Sequence, residues 1–195
     1  MEKRKMSVAF FVLCAFFLLS FATASALAEK IRIKKEGQEI FVFSANGTKA
    51  KSGSLSVRIR QNGDKAVLHV NGQRYAMKQK ENKYKLRSPG GRVLLKVKVK
   101  PGKIRIYLNE DDLNSWSLKA NDDRTRFKVR KGEKMVGKIK FYPEKKKVKV
   151  KKDDGGECCR VKTDRLRAAA VVCLMDELSE IERLLLFSIL CIAGL

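Results

Sequence analysis

The chain has 195 residues, which suits one domain with a sizeable core and is too short for two. Its formal net charge of +23 favours a polyanionic partner, namely an anionic lipid surface, nucleic acid or acidic polysaccharide. The alternative is a solubilising surface without a partner. The sequence contains one histidine and no nucleophile elbow, P-loop or H-E-x-x-H motif, so we expect a protein that is not an enzyme, without catalytic residues, metal or cofactor.

Residues 1–28 predict a Sec-type signal peptide. Three basic residues in the first five positions precede an uncharged run that ends in alternating small residues at Ala28, as an A-x-A cleavage site requires. The alternative is an uncleaved signal that anchors the chain in a membrane. We therefore expect a periplasmic or secreted protein, in which nucleic acid is not an expected partner. Removing these residues leaves a net charge of +21, because three basic residues and one glutamate are lost.

The single domain that follows, residues 29–195, begins with about twelve predicted strands. Short runs alternate apolar and basic residues, and Asn-Gly, Pro-Gly or polar turns separate them every eight to twelve positions. The predicted strands are 29–35, 38–44, 54–61, 65–70, 73–79, 83–88, 92–100, 103–108, 115–120, 124–130, 135–142 and 146–152. Connections this short predict an antiparallel meander. Residues 84–106 and 127–150 resemble each other, which indicates a repeated hairpin pair within one sheet.

Strand alternation divides the apolar from the basic side chains. In KVKVK, Val97 and Val99 share one face and the lysines the other, so one face is buried and the other is wet. We expect the lysines of the repeated hairpins to form parallel rows on the outer surface and to bind an anion or lipid. These candidates are Lys96, Lys98, Lys100, Lys138, Lys140, Lys147, Lys149 and Lys151.

The last thirty residues predict two apolar helices. The first, about 165–178, is capped by Thr163 or Asp164; the second, about 180–192, begins at the capping-box pair Ser179 and Glu182. A helix that is apolar all round must be surrounded, and charged residues between the two apolar blocks disfavour a membrane span. We expect a closed barrel to enclose the first helix. The second packs at the barrel's mouth, touches a membrane or binds a protein partner through residues 184–195.

The remaining polar residues have structural explanations. Cys158 and Cys159 are candidates for a disulfide with a partner that the sequence leaves open, while Cys173 and Cys191 lie in apolar runs and are expected to be free thiols. His69 lies in a strand and is expected to be structural. The acidic pairs after Asn109, Asn121 and Lys152, and the Asn46-Gly47-Thr48 segment, are interpreted as turns.

Two segments carry a resemblance to a known family. The hairpin YKLRSPGGRVLLKV (84–97) and the terminal RLRAAAVVCLMDEL (165–178) resemble the tubby C-terminal domain superfamily, which includes tubby proteins, phospholipid scramblases and plant LURP-one-related proteins. The resemblance covers nearly all of residues 29–195 and implies a twelve-stranded barrel threaded by a hydrophobic helix, with a leaning toward anionic membranes. Familiar members are cytoplasmic, whereas this chain carries an export signal, and no segment aligns with the family's calcium-binding or catalytic motifs.

The sequence therefore predicts an exported, basic, non-catalytic binding module that docks on anionic lipid or another polyanion through its lysine-rich strand faces. The alternative is a structural or protein-interaction module of the cell envelope whose charge serves solubility.

Overall fold

The computed structural model describes residues 30–195. The predicted signal peptide lies outside the described residues. Fourteen β-strands and two helical segments make up this part of the chain.

The strands alternate inward apolar and outward polar side chains, as the sequence pattern predicts. Their bounds are Ile31–Lys35 (β1), Gln38–Phe43 (β2), Lys49–Ser52 (β3), Leu55–Asn62 (β4), Lys65–Val70 (β5), Gln73–Lys80 (β6), Lys83–Arg87 (β7), Val93–Lys100 (β8), Lys103–Leu108 (β9), Trp116–Ala120 (β10), Arg126–Lys131 (β11), Lys134–Tyr142 (β12), Lys147–Lys152 (β13) and Glu157–Lys162 (β14).

Every strand pairs antiparallel with its neighbours in sequence, and β1 pairs with β14 to close the sheet into a barrel. The predicted mainly-β barrel with C-terminal helices is therefore confirmed, with fourteen strands instead of about twelve. The two additional strands are β3, in which only Ala50 and Ser52 are buried, and β14, which lies between the last predicted strand and the first predicted helix. The two repeated segments correspond to β7–β9 and β11–β13, which β10 separates.

Two-residue turns set much of the register. Asn71 and Gly72 have φ angles of 48° and 77°, as a type I′ turn requires, and Val70 pairs directly with Gln73 across them. If the pairing of the two strands shifted by one residue, their apolar side chains would move to the solvent-exposed face of the sheet. The turn therefore allows only one register. Each short turn therefore also fixes which basic side chains lie opposite each other on the outer surface.

The second helical segment is the α-helix α1, Glu180–Ile192, as predicted. The hydroxyl of Ser179 accepts from the backbone N–H of Glu182 at 3.3 Å, and the Ser179 N–H donates to the Glu182 carboxylate at 3.0 Å, which is the predicted capping box. The helix packs against β2, β3 and β4, with the Phe187 ring 5.3 Å from that of Phe41.

Side chains from Leu184 to Cys191 are all buried inside the barrel. The prediction that a protein partner binds through residues 184–195 stays a prediction. A fourteen-stranded barrel has room for both helical segments, and burying an all-apolar helix there removes its whole surface from water. No helix within residues 30–195 is long and apolar enough to span a bilayer.

The first helical segment is a short 3₁₀ helix, Ala168–Leu174, instead of the predicted α-helix over 165–178. Its N-cap is Arg167, without a side-chain cap, so the predicted capping by Thr163 or Asp164 is also wrong. The adjacent β-branched residues Val171 and Val172 disfavour an α-helix, and β14 leaves few residues before the break at Ser179. The segment lies inside the barrel against β12, β13 and β14.

A disulfide joins this 3₁₀ helix to the barrel wall. Cys159 on β14 is bonded to Cys173, with their Cα atoms 6.5 Å apart. The expectation of a free thiol at Cys173 is therefore wrong, because the side chain on the helix faces the strand that encloses it. Cys158 and Cys191 are free, and burial raises the pKa of both thiols.

Candidate anion-binding face

Acidic and basic residues are segregated in the barrel. Within the fourteen strands the only acidic residues are Glu39 and Glu157, while lysines and arginines occupy outward positions on nearly every strand. The other carboxylates of the described chain lie in turns and around the helices. The outer face of the sheet is therefore a continuous basic surface, and few carboxylates lie within it to neutralise it.

The predicted lysine candidates fall into two groups. Lys138 lies directly opposite Lys151, and Lys140 opposite Lys149, so the candidates of β12 and β13 form one cluster. Those of β8, however, are separated from β12 by three intervening strands. The repeated hairpins are not adjacent in the sheet, so the expected parallel rows do not meet directly.

Three lysines that the sequence interpretation did not single out bridge the gap. Lys103, Lys119 and Lys128 lie on β9, β10 and β11, one to each strand. Together they form a row of directly opposed residues across six strands, which we call the lysine row: Lys100, Lys103, Lys119, Lys128, Lys138 and Lys151. None of the six takes part in an ion pair within residues 30–195.

The lysine row has an energetic cost for the free protein. Like charges directly opposite in an antiparallel pair are destabilising, by roughly 0.2–1 kcal/mol for each of the adjacent pairs. Long side chains spread their ammonium groups and salt screens them, which lowers this cost. A bound polyanion would convert the same charges into favourable contacts.

A second row runs parallel to the first from β11 to β1. Its members are Arg126, Lys140, Lys149, Arg160 and Lys34. Glu157 partly neutralises it, since its carboxylate forms ion pairs with Lys149 and Arg160. The hydrogen bond from Lys149 lowers the pKa of Glu157 below its ordinary value.

Aromatic rings hold some of the lysines in place. The ammonium groups of Lys96 and Lys98 lie 4.4 and 4.9 Å from the centre of the Tyr107 ring, and that of Lys140 lies 5.0 Å from the Tyr142 ring. Such contacts are worth about 0.5–1 kcal/mol at exposed sites and restrict the side chain without neutralising it.

A cationic cleft of about 720 Å³, which we call the seam cleft, opens where the barrel closes. The ladder between β1 and β14 has only two residue pairs, Ile33 with Val161 and Lys34 with Arg160. Residues of that ladder and beyond its end, together with the β12–β13 turn, line the cleft. Its basic residues are Lys30, Arg32, Lys34, Lys145, Lys146, Lys147, Arg160 and Lys162.

Of these, only Lys147 belongs to the sequence-predicted candidates. The others were missed because the cleft joins the first and last strands, and residues 157–162 had not been recognised as a complete strand. The alternation in ECCRVK, with Cys159 and Val161 buried and Arg160 and Lys162 exposed, is the signal that would have identified them.

A smaller pocket of about 170 Å³ lies beside the lysine row, between Arg126, Lys128 and Lys138. The Nε atom of Arg126 is buried and has no hydrogen-bond partner among residues 30–195. A buried donor without an acceptor costs about 1–3 kcal/mol. Asp153 also lines this pocket, which is therefore not purely cationic.

His69 lies in a strand, and Asp111 and Asn46 lie in turns, as the sequence analysis expected. His69 is half-buried on β5 between Arg58 and Arg74, neither of which could polarise it as an acid or base partner. Asp111 accepts backbone hydrogen bonds within its own turn, and Asn46 accepts from the backbone and hydroxyl of Thr48. No group of potential metal ligands occurs in the described part of the chain.

Comparisons with protein-family models, with curated proteins and with solved structures found no match for this chain. The resemblance to the tubby superfamily therefore remains a prediction. By its fold, this protein belongs to the class of closed antiparallel β-barrels, with two helical segments inside the barrel.

Proposed function

We propose that this protein is an exported, non-catalytic binding module that docks on a polyanion, either an anionic lipid surface or an anionic polymer, through the basic outer face of its barrel. The observation that carries the proposal is the lysine row, in which six lysines on consecutive strands lie in register without a carboxylate among them. A surface that served solubility alone would gain from mixed charges, which do not repel one another.

Binding through this face relies on long-range electrostatics and on the release of counterions. A lysine close to an anionic lipid surface contributes about 1 kcal/mol, and the contribution fades over a Debye length of about 8–10 Å at physiological salt. Several lysines acting together therefore bind a polyanion measurably at low salt, and high salt abolishes this binding.

The test compares vesicles of neutral phosphatidylcholine with vesicles that also contain phosphatidylglycerol, at low and high salt, by co-sedimentation. We expect binding that requires the anionic lipid and disappears at high salt. The triple substitution Lys119→Gln, Lys128→Gln and Lys138→Gln should weaken binding by about tenfold or more, since it removes three of the opposed charges.

The matched control removes the same charge from the other side of the barrel, by Lys49→Gln, Lys51→Gln and Lys65→Gln on β3 and β5. It should weaken binding by less than about threefold. Equal effects of the two triple substitutions would show that net charge, and not the lysine row, determines binding. Binding that ignores both salt and polyanion charge would instead support the structural or protein-interaction module.

A further inference from the structure

The seam cleft is a strongly cationic site. Eight lysines and arginines line it and Asp164 is its one carboxylate. Arg32 and Arg160 are held by Glu39 and Glu157, respectively. The six lysines form no ion pair within residues 30–195, so their charge is available to a ligand.

The size and lining of the cleft define the chemistry of its occupant. A volume of about 720 Å³ lies in the range of sites for small molecules or for a short segment of a polymer. Such sites are usually lined by apolar and aromatic side chains, whereas here Val161 is the only apolar residue. The charged ends of these side chains therefore favour an occupant that carries several negative charges, and their aliphatic stems supply apolar contacts beside them.

Asp164 adds a second requirement. Its exposed carboxylate forms no hydrogen bond or ion pair within the described residues, and a carboxylate accepts hydrogen bonds but donates none. It repels a bare phosphate or carboxylate but accepts a hydroxyl. A ligand that carries hydroxyl groups between its acidic groups satisfies both the lysines and Asp164, and a sugar acid has this chemistry.

The surroundings of the cleft favour a chain over an isolated molecule. Lys34 and Arg160 belong both to the cleft and to the second basic row, which continues over β13 and β12 to β11. At a strand separation of about 4.8 Å, that row extends the cationic path by roughly 15–20 Å. A linear polymer seated in the cleft would therefore stay in contact with cations along its length.

Other polyanions fit this geometry less well. Proteins that bind single-stranded nucleic acid stack its bases on exposed aromatic rings, but the one exposed large hydrophobic side chain among residues 30–195 is Leu113. Duplex DNA is stiff over about 50 nm, so bending it into a concave site costs free energy. A flat lipid surface contacts the convex outer wall of the barrel, so its headgroups do not reach the charges inside the seam cleft.

We infer that the seam cleft binds a segment of an acidic polysaccharide, with its lysines on the acidic groups and Asp164 accepting from a sugar hydroxyl. This inference rests on the proposed polyanion-binding function and names the ligand class for one part of that surface.

The test measures the affinity of the purified protein for an eight-residue oligogalacturonate and for inorganic polyphosphate of similar charge, by titration calorimetry at low salt. Polyphosphate is flexible and anionic but has no hydroxyl along its chain. Lys146→Gln with Lys162→Gln should weaken oligogalacturonate binding by about tenfold. Lys49→Gln with Lys51→Gln is the control of equal charge, and it should change that affinity by less than about twofold.

Asp164→Ala separates the inference from simple charge attraction. It should weaken oligogalacturonate binding about threefold or more, because the acceptor for a hydroxyl is removed, and strengthen polyphosphate binding, because a repulsive charge is lost. Stronger binding of both ligands, or oligogalacturonate binding that the cleft substitutions leave unchanged, would overturn the inference. Salt-dependent binding of anionic vesicles without any of oligogalacturonate would overturn it and leave the proposed function standing, whereas no salt-dependent binding of any polyanion would overturn both. Thermal unfolding of each variant verifies that the barrel is intact.

Discussion

The indole nitrogen of Trp116 donates a hydrogen bond of 3.1 Å to Oε1 of Glu177. Trp116 lies on β10, with 1% of its surface exposed, and Glu177 lies between the two helical segments, so the bond joins the barrel wall to the chain that fills it. The same oxygen receives the ammonium of Lys131 at 3.0 Å. One carboxylate thus satisfies a buried donor and a half-exposed cation.

Replacing this carboxylate should destabilise the barrel. Glu177→Ala leaves the buried N–H of Trp116 without its acceptor, which costs about 1–3 kcal/mol of the free energy of unfolding. Glu177→Gln keeps an acceptor oxygen and should cost less. Chemical denaturation monitored by the fluorescence of Trp116, the chain's one tryptophan, measures both values. Equal losses for the two variants would contradict the hydrogen-bond interpretation.

The disulfide between Cys159 and Cys173 should contribute to stability. The two residues are 14 positions apart, and a loop of about this size corresponds to about 3 kcal/mol in the chain-entropy account. Dithiothreitol should therefore lower the denaturant midpoint of the wild type but not of a variant with Cys159→Ala and Cys173→Ala. Cys158→Ser serves as the control and should keep the sensitivity to reduction; loss of that sensitivity would mean that Cys158 forms the bond.

Gly137 on β12 has no room for a side chain. A Cβ atom there would overlap the carbonyl oxygen of Lys151 and lie 3.1 Å from Cδ1 of Leu174. Gly137→Ala should therefore destabilise the protein by about 1–3 kcal/mol, because strand pairing or the 3₁₀ helix must shift. Gly90→Ala, in an open turn, is the control and should change stability by less than about 0.5 kcal/mol. Similar stabilities for the two variants in urea denaturation would contradict this prediction.

The capping box at α1 should have a measurable effect. Ser179→Ala removes the acceptor for the Glu182 N–H and should lower the free energy of unfolding by about 1 kcal/mol. Ser179→Asp retains an acceptor at the N-cap, where a negative charge is also favourable, and should restore most of the loss. Urea denaturation compares the two variants, and a loss that Ser179→Asp does not recover would assign the effect to packing.

Glu157 should make stability depend on acid pH. Its pKa in the folded protein is lowered by the hydrogen bond from Lys149, so its stabilising effect is present above the ordinary value of 4.5 and is lost as the pH falls through the folded pKa. The difference in the free energy of unfolding between wild type and Glu157→Gln should thus shrink below pH 4.5. A difference that stays constant from pH 7 to pH 3 would show that the ion pairs contribute nothing.

The Glu157→Gln variant should also bind polyanions more tightly, since it removes an acidic residue from the basic face.

Short sequence patterns correctly predicted the elements whose structure depends on interactions between residues close in sequence. The alternation of valine and lysine predicted β8 and β13, and the capping box predicted the start of α1. The pattern failed at β3, where the one apolar inward residue is Ala50, and at β14, where acidic and glycine residues before Cys158 indicated a loop. The first helix was predicted as an α-helix because its apolar run was considered without the two adjacent valines, Val171 and Val172, and without the residues that β14 takes from its start.

The candidate site was harder to predict because it depends on register. Which lysines oppose each other is set by turn lengths and by irregularities such as the shift between Val129 and Arg130, so the row through Lys119 and Lys128 cannot be identified from either strand alone. The seam cleft is harder still, since it joins β1 to β14, which are separated by the whole sheet in sequence. The sequence showed that the strands carry positive charge, but it did not show how these charges are arranged on the surface of the barrel.

The pairing of β1 with β14 also constrains how the protein folds. Because these are the first and last strands, their contacts have a large sequence separation, which slows folding. Until α1 and the 3₁₀ helix are in place, the inner faces of the strands have no apolar partner, although the hairpins form locally. We therefore expect a partly folded, open sheet to persist until the final thirty residues dock, so that the C-terminal segment controls when the barrel closes as well as what fills it.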